Sequence, residues 1–488
     1  CPLWCERLVS KMTMQAWRLH DQAERPREPQ PMPAADSEPA GPSPPPPWRS
    51  PPGATGVRHL VLAGMTASVL VAYLPRTALG PAASSIKREL GLSDLAMGEV
   101  LGVWAMGYLL LQLPGGWLGD RFGRRVMMPL YGLAWSFCTL GTAVARTLGG
   151  LWWSRLCFGM AQGGLIPCLT RACLDWFPED RRGTASAAIT AGMSVGGVAA
   201  SGVSAILLPA LGWRVTLEVF ALTGVVWAVW FWTLFRDRPE QHPRVNTAEL
   251  ALIRGARAKP DPIDDEGLGD FVEVGLTQDE RPAAGWTDRL RVFVGFAFLM
   301  INAQAFCRAF CYAFFNSWFP PFLERAHGLP VAGASALTML PLAGFATGAM
   351  MGGPLIDGVL RRTGSKWQSR SLVGAAALIL SGLGSFIAMV AGHPTPAVLA
   401  LTLSTVASGF AAPATWAATM DVGGKSSASV MAVINMTGNL GAFLCPIAVG
   451  AILEIFPERW GLALLMLGLV SVAGGVFWLL VNPIAPKD

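Results

Sequence analysis

Charged residues are scarce in this chain, 14% of 488, where a soluble domain carries about 25%. So little charge cannot coat a water-facing surface over this length, which excludes an ordinary soluble protein. Histidine is almost missing where chemistry would need it. His20, His59, His242, His327 and His393 all lie outside the long apolar runs or at their edges, which argues against a histidine metal site or nucleophile within them. Nine cysteines occur with no CxxC pair and no zinc-type spacing. Seven of them (Cys138, Cys157, Cys168, Cys173, Cys307, Cys311 and Cys445) sit in apolar runs, where free cysteine packs as a small hydrophobe. The net charge of +5 is modest and dispersed, so no nucleic-acid footprint is present. An acid pair inside the apolar runs is missing too. Without nucleophile, metal cluster or acid/base set, an enzyme is not expected, and no cofactor is expected either.

What the chain has instead is apolar length: 52% of its residues are hydrophobic and its mean hydropathy is +0.44. A hydrocarbon core about 30 Å thick needs roughly 20 apolar residues of helix. Twelve such stretches occur, at 59–82, 95–118, 126–145, 149–173, 184–208 and 213–235, then 292–323, 333–356, 371–391, 396–418, 427–452 and 460–482. They are continuously apolar rather than alternating, so helices and not barrel strands are expected to span. The predicted fold is an all-α membrane protein of twelve transmembrane helices in two six-helix bundles, 58–235 and 292–483. A polar stretch at 236–291 separates them, and Thr247 is expected to cap a short amphipathic helix within it. Residues 1–57, rich in Pro, Ala, Ser and Glu without an apolar core, are expected to form a disordered tail rather than a secretory signal.

Basic residues set the expected orientation. One set of loops holds Arg121, Arg124, Arg125, Arg181, Arg182, Arg361, Arg362, Lys366 and Arg370. The opposite set is poorer, with Lys87, Arg88, Arg146, Arg325 and Arg459. The richer side is expected to be cytoplasmic, with both termini, in a plasma membrane of bacterial inner-membrane type. The halves also repeat. After span 2 comes Gly119-Asp120-Arg121-Phe122-Gly123-Arg124-Arg125, and after span 8 comes Asp357-Gly358-Val359-Leu360-Arg361-Arg362. Internal repeats of this kind are typical of secondary transporters, with the substrate site between the halves.

At Gly115-Gly116-Trp117-Leu118-Gly119-Asp120-Arg121-Phe122-Gly123-Arg124-Arg125 the chain resembles the signature loop of the major facilitator superfamily. Further stretches resemble its anion:cation symporter branch, which includes sodium/phosphate, sialic acid, vesicular glutamate and bacterial sugar-acid carriers. These are Arg155 to Gly159 with Gln162-Gly163 and Pro167, Trp176 to Arg181, Asn316-Ser317-Trp318-Phe319-Pro320, and Asn435 with Gly438 to Gly441. The resemblance spans roughly 58–483 and implies alternating access, a gating loop braced by Asp120, and transport of an organic anion. Two departures stand out. The proton-coupled members carry an acid before the span 1 arginine and another in span 4, and here those places hold Pro75 and Gln162. Span 5 also lacks the Gly-Pro pattern of antiporters, which leans toward symport or uniport.

Charges within spans are expensive, about 2.5–3.5 kcal/mol each on the insertion scale, and persist where they line a wet cavity or have partners. Three arginines stand out: Arg76 in span 1, Arg155 in span 4 and Arg308 in span 7. The only nearby acids, Glu99, Glu218 and Glu454, all lie toward the outer face, so the interior holds an excess of positive charge. Arginine's planar fork suits a carboxylate or phosphate, and spans 1 and 7 are equivalent in the repeat. Arg76 and Arg308 are therefore read as anion clamps, against the alternative of structural arginines pairing with a glutamate or capping carbonyls. Arg155 is read either as a third member of the site or as a side chain snorkelling to the edge. Tyr73 and Tyr312 share helix faces with Arg76 and Arg308. Gln162, Asn316, Asn435 and Asn439 complete the candidate substrate-binding set, with both span 11 asparagines expected to turn into the bundle. Proton coupling, if any, would use Glu218 or Glu99; otherwise sodium, exchange or no coupling applies. Gly119, Asp120, Arg124, Arg125, Asp357, Arg361 and Arg362 are the expected gating loops. The expected function is a secondary transporter of a carboxylate or sugar acid, acting as a monomer. The alternatives are an organophosphate:phosphate exchanger, whose span 7 arginine would fall one turn later where Tyr312 stands, and a non-transporting sensor.

Overall fold

The computed structural model describes residues 53–254, 295–423 and 427–482. Most of the expected tail and most of the central stretch lie outside the described residues. Among the described residues every long element is a helix. Span 1 is Val57–Thr77 continued by Leu79–Leu90, span 2 is Asp94–Phe122, and span 3 is Arg124–Val144. Span 4 is Leu148–Gly163 with Leu165–Trp176, and spans 5 and 6 share Glu179–Leu234, broken at Gly212 (φ +75°). Span 7 is Phe296–Ser317 with Phe319–His327, span 8 is Val331–Thr363, and span 9 is Val373–Val390. Spans 10, 11 and 12 are Pro394–Gly423, Ser427–Ile455 and Trp460–Leu480. Among the described residues nine helices meet the length and apolarity needed to cross a membrane, and one of these, Arg181–Leu234, makes two crossings about Gly212. Spans 3 and 4 complete the twelve. The chain is a multi-pass membrane protein.

The breaks have local causes. Span 1 turns at Ala78, whose amide still donates to the Leu74 carbonyl at 3.0 Å, and Pro81 lacks the amide hydrogen that the Thr77 carbonyl would accept. Span 4 is interrupted at Gly164, where spans 2 and 4 cross so closely that a Cβ on Gly115 would stand 2.6 Å from Gly164 Cα. Tyr131 of span 3 seals that crossing by donating to the Gly115 carbonyl at 2.6 Å.

Two pairs of helices join the halves: span 2 packs on span 11, and span 5 on span 8. The closest approaches all fall toward one face. Gly98 meets the Pro446 carbonyl, Gly102 the Phe443 carbonyl, and Gly450 the Asp94 carbonyl. Gly80 at the end of span 1 abuts the Asn316 carbonyl of span 7, and Gly202 abuts Met339. Further along span 2, Gly107, Gly115 and Gly119 face span 4 of their own half. The tightest glycine contacts between the halves therefore lie on the Asp94 side. Ion pairs lock the closed side across the halves. Asp94 accepts from Lys87 at 2.6 Å and from Arg325 at 2.7 Å, Arg325 also reaches Glu458 at 2.6 Å, and Glu454 accepts the Asp94 amide at 2.9 Å.

On the other side the short helix Thr247–Arg254 docks under span 1. Its cap is Asn246, whose side chain accepts the Glu249 amide at 2.9 Å, and not the expected Thr247. Glu249 is fully buried and takes the first amides of span 1, from Gly56 at 2.7 Å and Arg58 at 3.3 Å, together with the Arg58 guanidinium at 3.3 Å. A carboxylate here satisfies donors that a helix start leaves open and meets the positive end of the helix dipole. Glu249→Ala is expected to cost on the order of 3 kcal/mol, as breaking a buried pair from one side does. A lowered melting temperature of the purified protein checks this, and an unchanged one contradicts it.

Candidate functional site

Span 1 rises to the middle of the fold and presents Tyr73 and Arg76, both half-buried, one helical turn apart. Among the described residues Arg76 makes no hydrogen bond and no ion pair. Its guanidinium carbon lies 3.8 Å from the ring centre of Trp104, 4.7 Å from that of Tyr73 and 5.8 Å from that of Tyr108. Stacking on aromatic faces holds a cation without neutralising it. From the other half, span 7 presents Arg308 and, one turn on, Tyr312 against Phe345, ring centres 4.4 Å apart. Arg308 Nε is buried with no hydrogen-bond partner. Tyr312 is close enough to Tyr73, Arg76 and Arg308 to feel all three electrostatically. The folded chain thus brings four of the sequence candidates, Arg76, Arg308, Tyr73 and Tyr312, to one place between the halves. Among the described residues none of Arg76, Arg155 and Arg308 has a carboxylate partner within 4.0 Å.

Arg155 does not snorkel. It is fully buried, stacks on Phe158 at 4.1 Å, and donates one nitrogen to the Pro75 carbonyl at 3.4 Å, leaving Nε and Nη2 unpartnered. Gln162, also buried, donates to the Ala72 carbonyl at 2.8 Å. Both reach the stretch of span 1 around Pro75, so span 4 braces the segment that carries Arg76. Asn316 sits at the closed end, accepting from Thr77 at 3.5 Å, and its amide donates to the Tyr312 carbonyl at 3.4 Å. Asn439 turns inward, but its amide is taken by the Asn435 carbonyl at 2.9 Å. Asn435 itself is exposed.

The acids stay apart from this cluster. Glu218 is exposed and Glu99 half-buried, and neither has a hydrogen-bond or ion-pair partner among the described residues. Glu454 instead caps span 2.

The two expected gating loops are built differently. In the first half the turn comes at Gly123 (φ +85°), before Arg124 and Arg125. Arg124 can then reach Asp175 at the end of span 4 and Asp120, the latter at 3.6 Å, while the Arg125 amide donates to Asp237 at 2.9 Å. Gly119 lies directly against Cys168. In the second half the helix runs past Asp357, Arg361 and Arg362 and turns only at Gly364 (φ +63°). Those three are exposed, and among the described residues none forms an ion pair. The positions that meet the end of span 10 are Lys366 and Arg370, which pair with Asp421 at 2.7 and 3.3 Å. The two loops differ in where the helix ends, at Gly123 in the first half and only at Gly364 in the second.

Sequence reasoning also missed Trp104 and Tyr108. Large aromatics in an apolar run look like packing or lipid contact. Their four-residue spacing, which puts both rings on one face of span 2, was the available signal.

Comparison with known proteins agrees with this architecture. The model of the Major Facilitator Superfamily matches residues 65–444 and 301–488. The probable sulfoacetate transporter SauU of Cupriavidus necator is 27% identical over 434 residues, covering 88% of this chain and 95% of the relative. The probable galactarate/D-glucarate transporter GudP of Bacillus subtilis is 28% identical over 444 residues, covering 88% and 93%. Among solved structures, a bacterial homolog of the human lysosomal transporter Spinster, in an inward-facing and occupied conformation, superposes with a TM-score of 0.69 at 19% identity. That superposition covers 87% of this chain and 97% of the other.

Proposed function

From the premise that this chain belongs to the Major Facilitator Superfamily, we propose that it is a secondary transporter that carries a small organic anion, a carboxylate or sugar acid, by alternating access. One observation supports the reading: Arg76 from one half and Arg308 from the other both lie within electrostatic reach of Tyr312, and among the described residues neither forms an ion pair with an acid. An anion between them supplies the missing charge and accepts bonds from arginine donors that the protein leaves free. Two relatives are named for sugar-acid and sulfonate substrates, both small anions. Nothing in the structure favours a phosphate ester over these.

With the arginine-rich face taken as cytoplasmic on the loop bias, the Asp94–Arg325 pair is read as a lock that holds the halves together on the outer side. Substrate neutralises the two arginines, which lowers the barrier to closing the halves around it and makes the loaded carrier the mobile form. Counterflow of labelled D-glucarate or sulfoacetate in proteoliposomes tests the reading. Trans-accelerated exchange supports it, and no exchange of any organic anion refutes it.

Coupling is proposed to lie outside the site itself. Pro75 and Gln162 cannot titrate, and the clustered residues are arginines and tyrosines, which hold their protonation state near neutrality. Affinity for a strong-acid anion such as sulfoacetate is therefore expected to change by less than about twofold between pH 6 and pH 8. Isothermal titration at both values checks this, and a tenfold change would place a titrating group in the site.

A further inference from the structure

Arg76 is held in an unusual way for a cation in a membrane protein. It has no carboxylate and no hydrogen bond, only rings. Trp104 is the nearest, at 3.8 Å from ring centre to guanidinium carbon, which is stacking distance. The ring is nearly enclosed, with 9% of the residue exposed. Its backbone is fixed too: span 4 approaches so closely that a Cβ on Gly159 would overlap the Trp104 carbonyl oxygen. Tyr108, one turn along span 2, and Tyr73, on span 1, add rings at 5.8 and 4.7 Å. None of the Arg76 nitrogens is buried without a partner, so its donors reach open space.

A guanidinium stacked on a ring has a covered face, and all five of its N–H bonds lie in its plane. The free edge then fits a group with two acceptor oxygens side by side, as in a carboxylate or sulfonate. It does not fit a ligand that must stack on the face.

We propose that Trp104 is the positioning residue of the anion site, fixing Arg76 by its ring so that the substrate's acidic group is met edge-on by two parallel hydrogen bonds. This rests on the anion reading above and adds a residue and a binding geometry to it. The ring replaces the acid that would otherwise hold the arginine. Because it carries no charge, it holds Arg76 without competing with the incoming anion, whereas a glutamate in its place would occupy the same donors.

The test uses the full-length protein in nanodiscs, with tryptophan, monofluoro-, difluoro- and trifluorotryptophan placed at position 104 alone by nonsense suppression. Fluorine withdraws charge from the ring face with little change in shape, so a packing role would not respond. D-glucarate affinity, read by titration calorimetry, is expected to fall stepwise, about three- to thirtyfold across the series. W104F is expected to keep part of the affinity and W104L little of it. Affinity that stays flat across the fluorinated series, with wild type binding normally, overturns this proposal and leaves the anion reading standing. A wild-type protein that binds neither D-glucarate nor sulfoacetate overturns the anion reading, and this proposal with it.

Discussion

Arg308→Ala and Arg76→Ala are each expected to abolish substrate binding while leaving the protein folded and in the membrane. The size follows from the surroundings. Each arginine sits deep between the halves with no acid beside it, so it makes its charged contact only with substrate. Truncating one partner of a desolvated charge pair costs about 2–5 kcal/mol, which is a thirtyfold to several-thousandfold loss of affinity. Lysine at either place is expected to recover little, because an ammonium offers a point charge where two parallel donors are needed. Titration calorimetry against D-glucarate, beside a thermal melt to confirm folding, reads both outcomes. Near wild-type binding by either alanine variant removes that arginine from the site.

The second large effect is at the closed face. Gly98 lies so near the Pro446 carbonyl that even a Cβ would stand 2.3 Å from it, and Gly102 meets the Phe443 carbonyl in the same manner. Gly98→Leu is therefore expected to keep spans 2 and 11 apart. Overpacking a tight contact costs about 1–3 kcal/mol, enough to move an open–closed equilibrium by roughly tenfold to a hundredfold. Exchange in proteoliposomes should fall accordingly. Deuterium uptake at the backbone amides of 94–102 and 443–450 should rise, and equilibrium binding should persist. Gly353→Leu is the control: nothing lies within 4 Å of a Cβ there, so exchange should be unaffected. Normal exchange by Gly98→Leu would show that this contact is not one the transport cycle has to make.

The twelve spans were legible because lipid imposes one simple rule, continuous apolar length, and the chain obeys it. What the rule does not encode is where helices continue past the lipid or break within it. Val331–Thr363 runs on through Asp357, Arg361 and Arg362 because nothing stops a helix there until Gly364. Arg76, Arg308 and both tyrosines were found because a charge in an apolar run is conspicuous and helical spacing then names its neighbours. Glu249 could not be found this way. Its partners at Gly56 and Arg58 lie more than 190 residues away in sequence, and nothing local distinguishes it from an ordinary surface glutamate. Arg155 shows the opposite failure. Its charge was conspicuous, yet its position along span 4 did not show that it points inward to Pro75 rather than out to the headgroups.

A structure of the protein with D-glucarate or sulfoacetate bound tests the account most directly. The unpaired arginines require the acidic group to lie within hydrogen-bond distance of both Arg76 and Arg308, beside Tyr312, with the Arg76 guanidinium still stacked on Trp104. An anion held elsewhere, or arginines that swing away to engage Glu99 or another resident carboxylate when it binds, would contradict it.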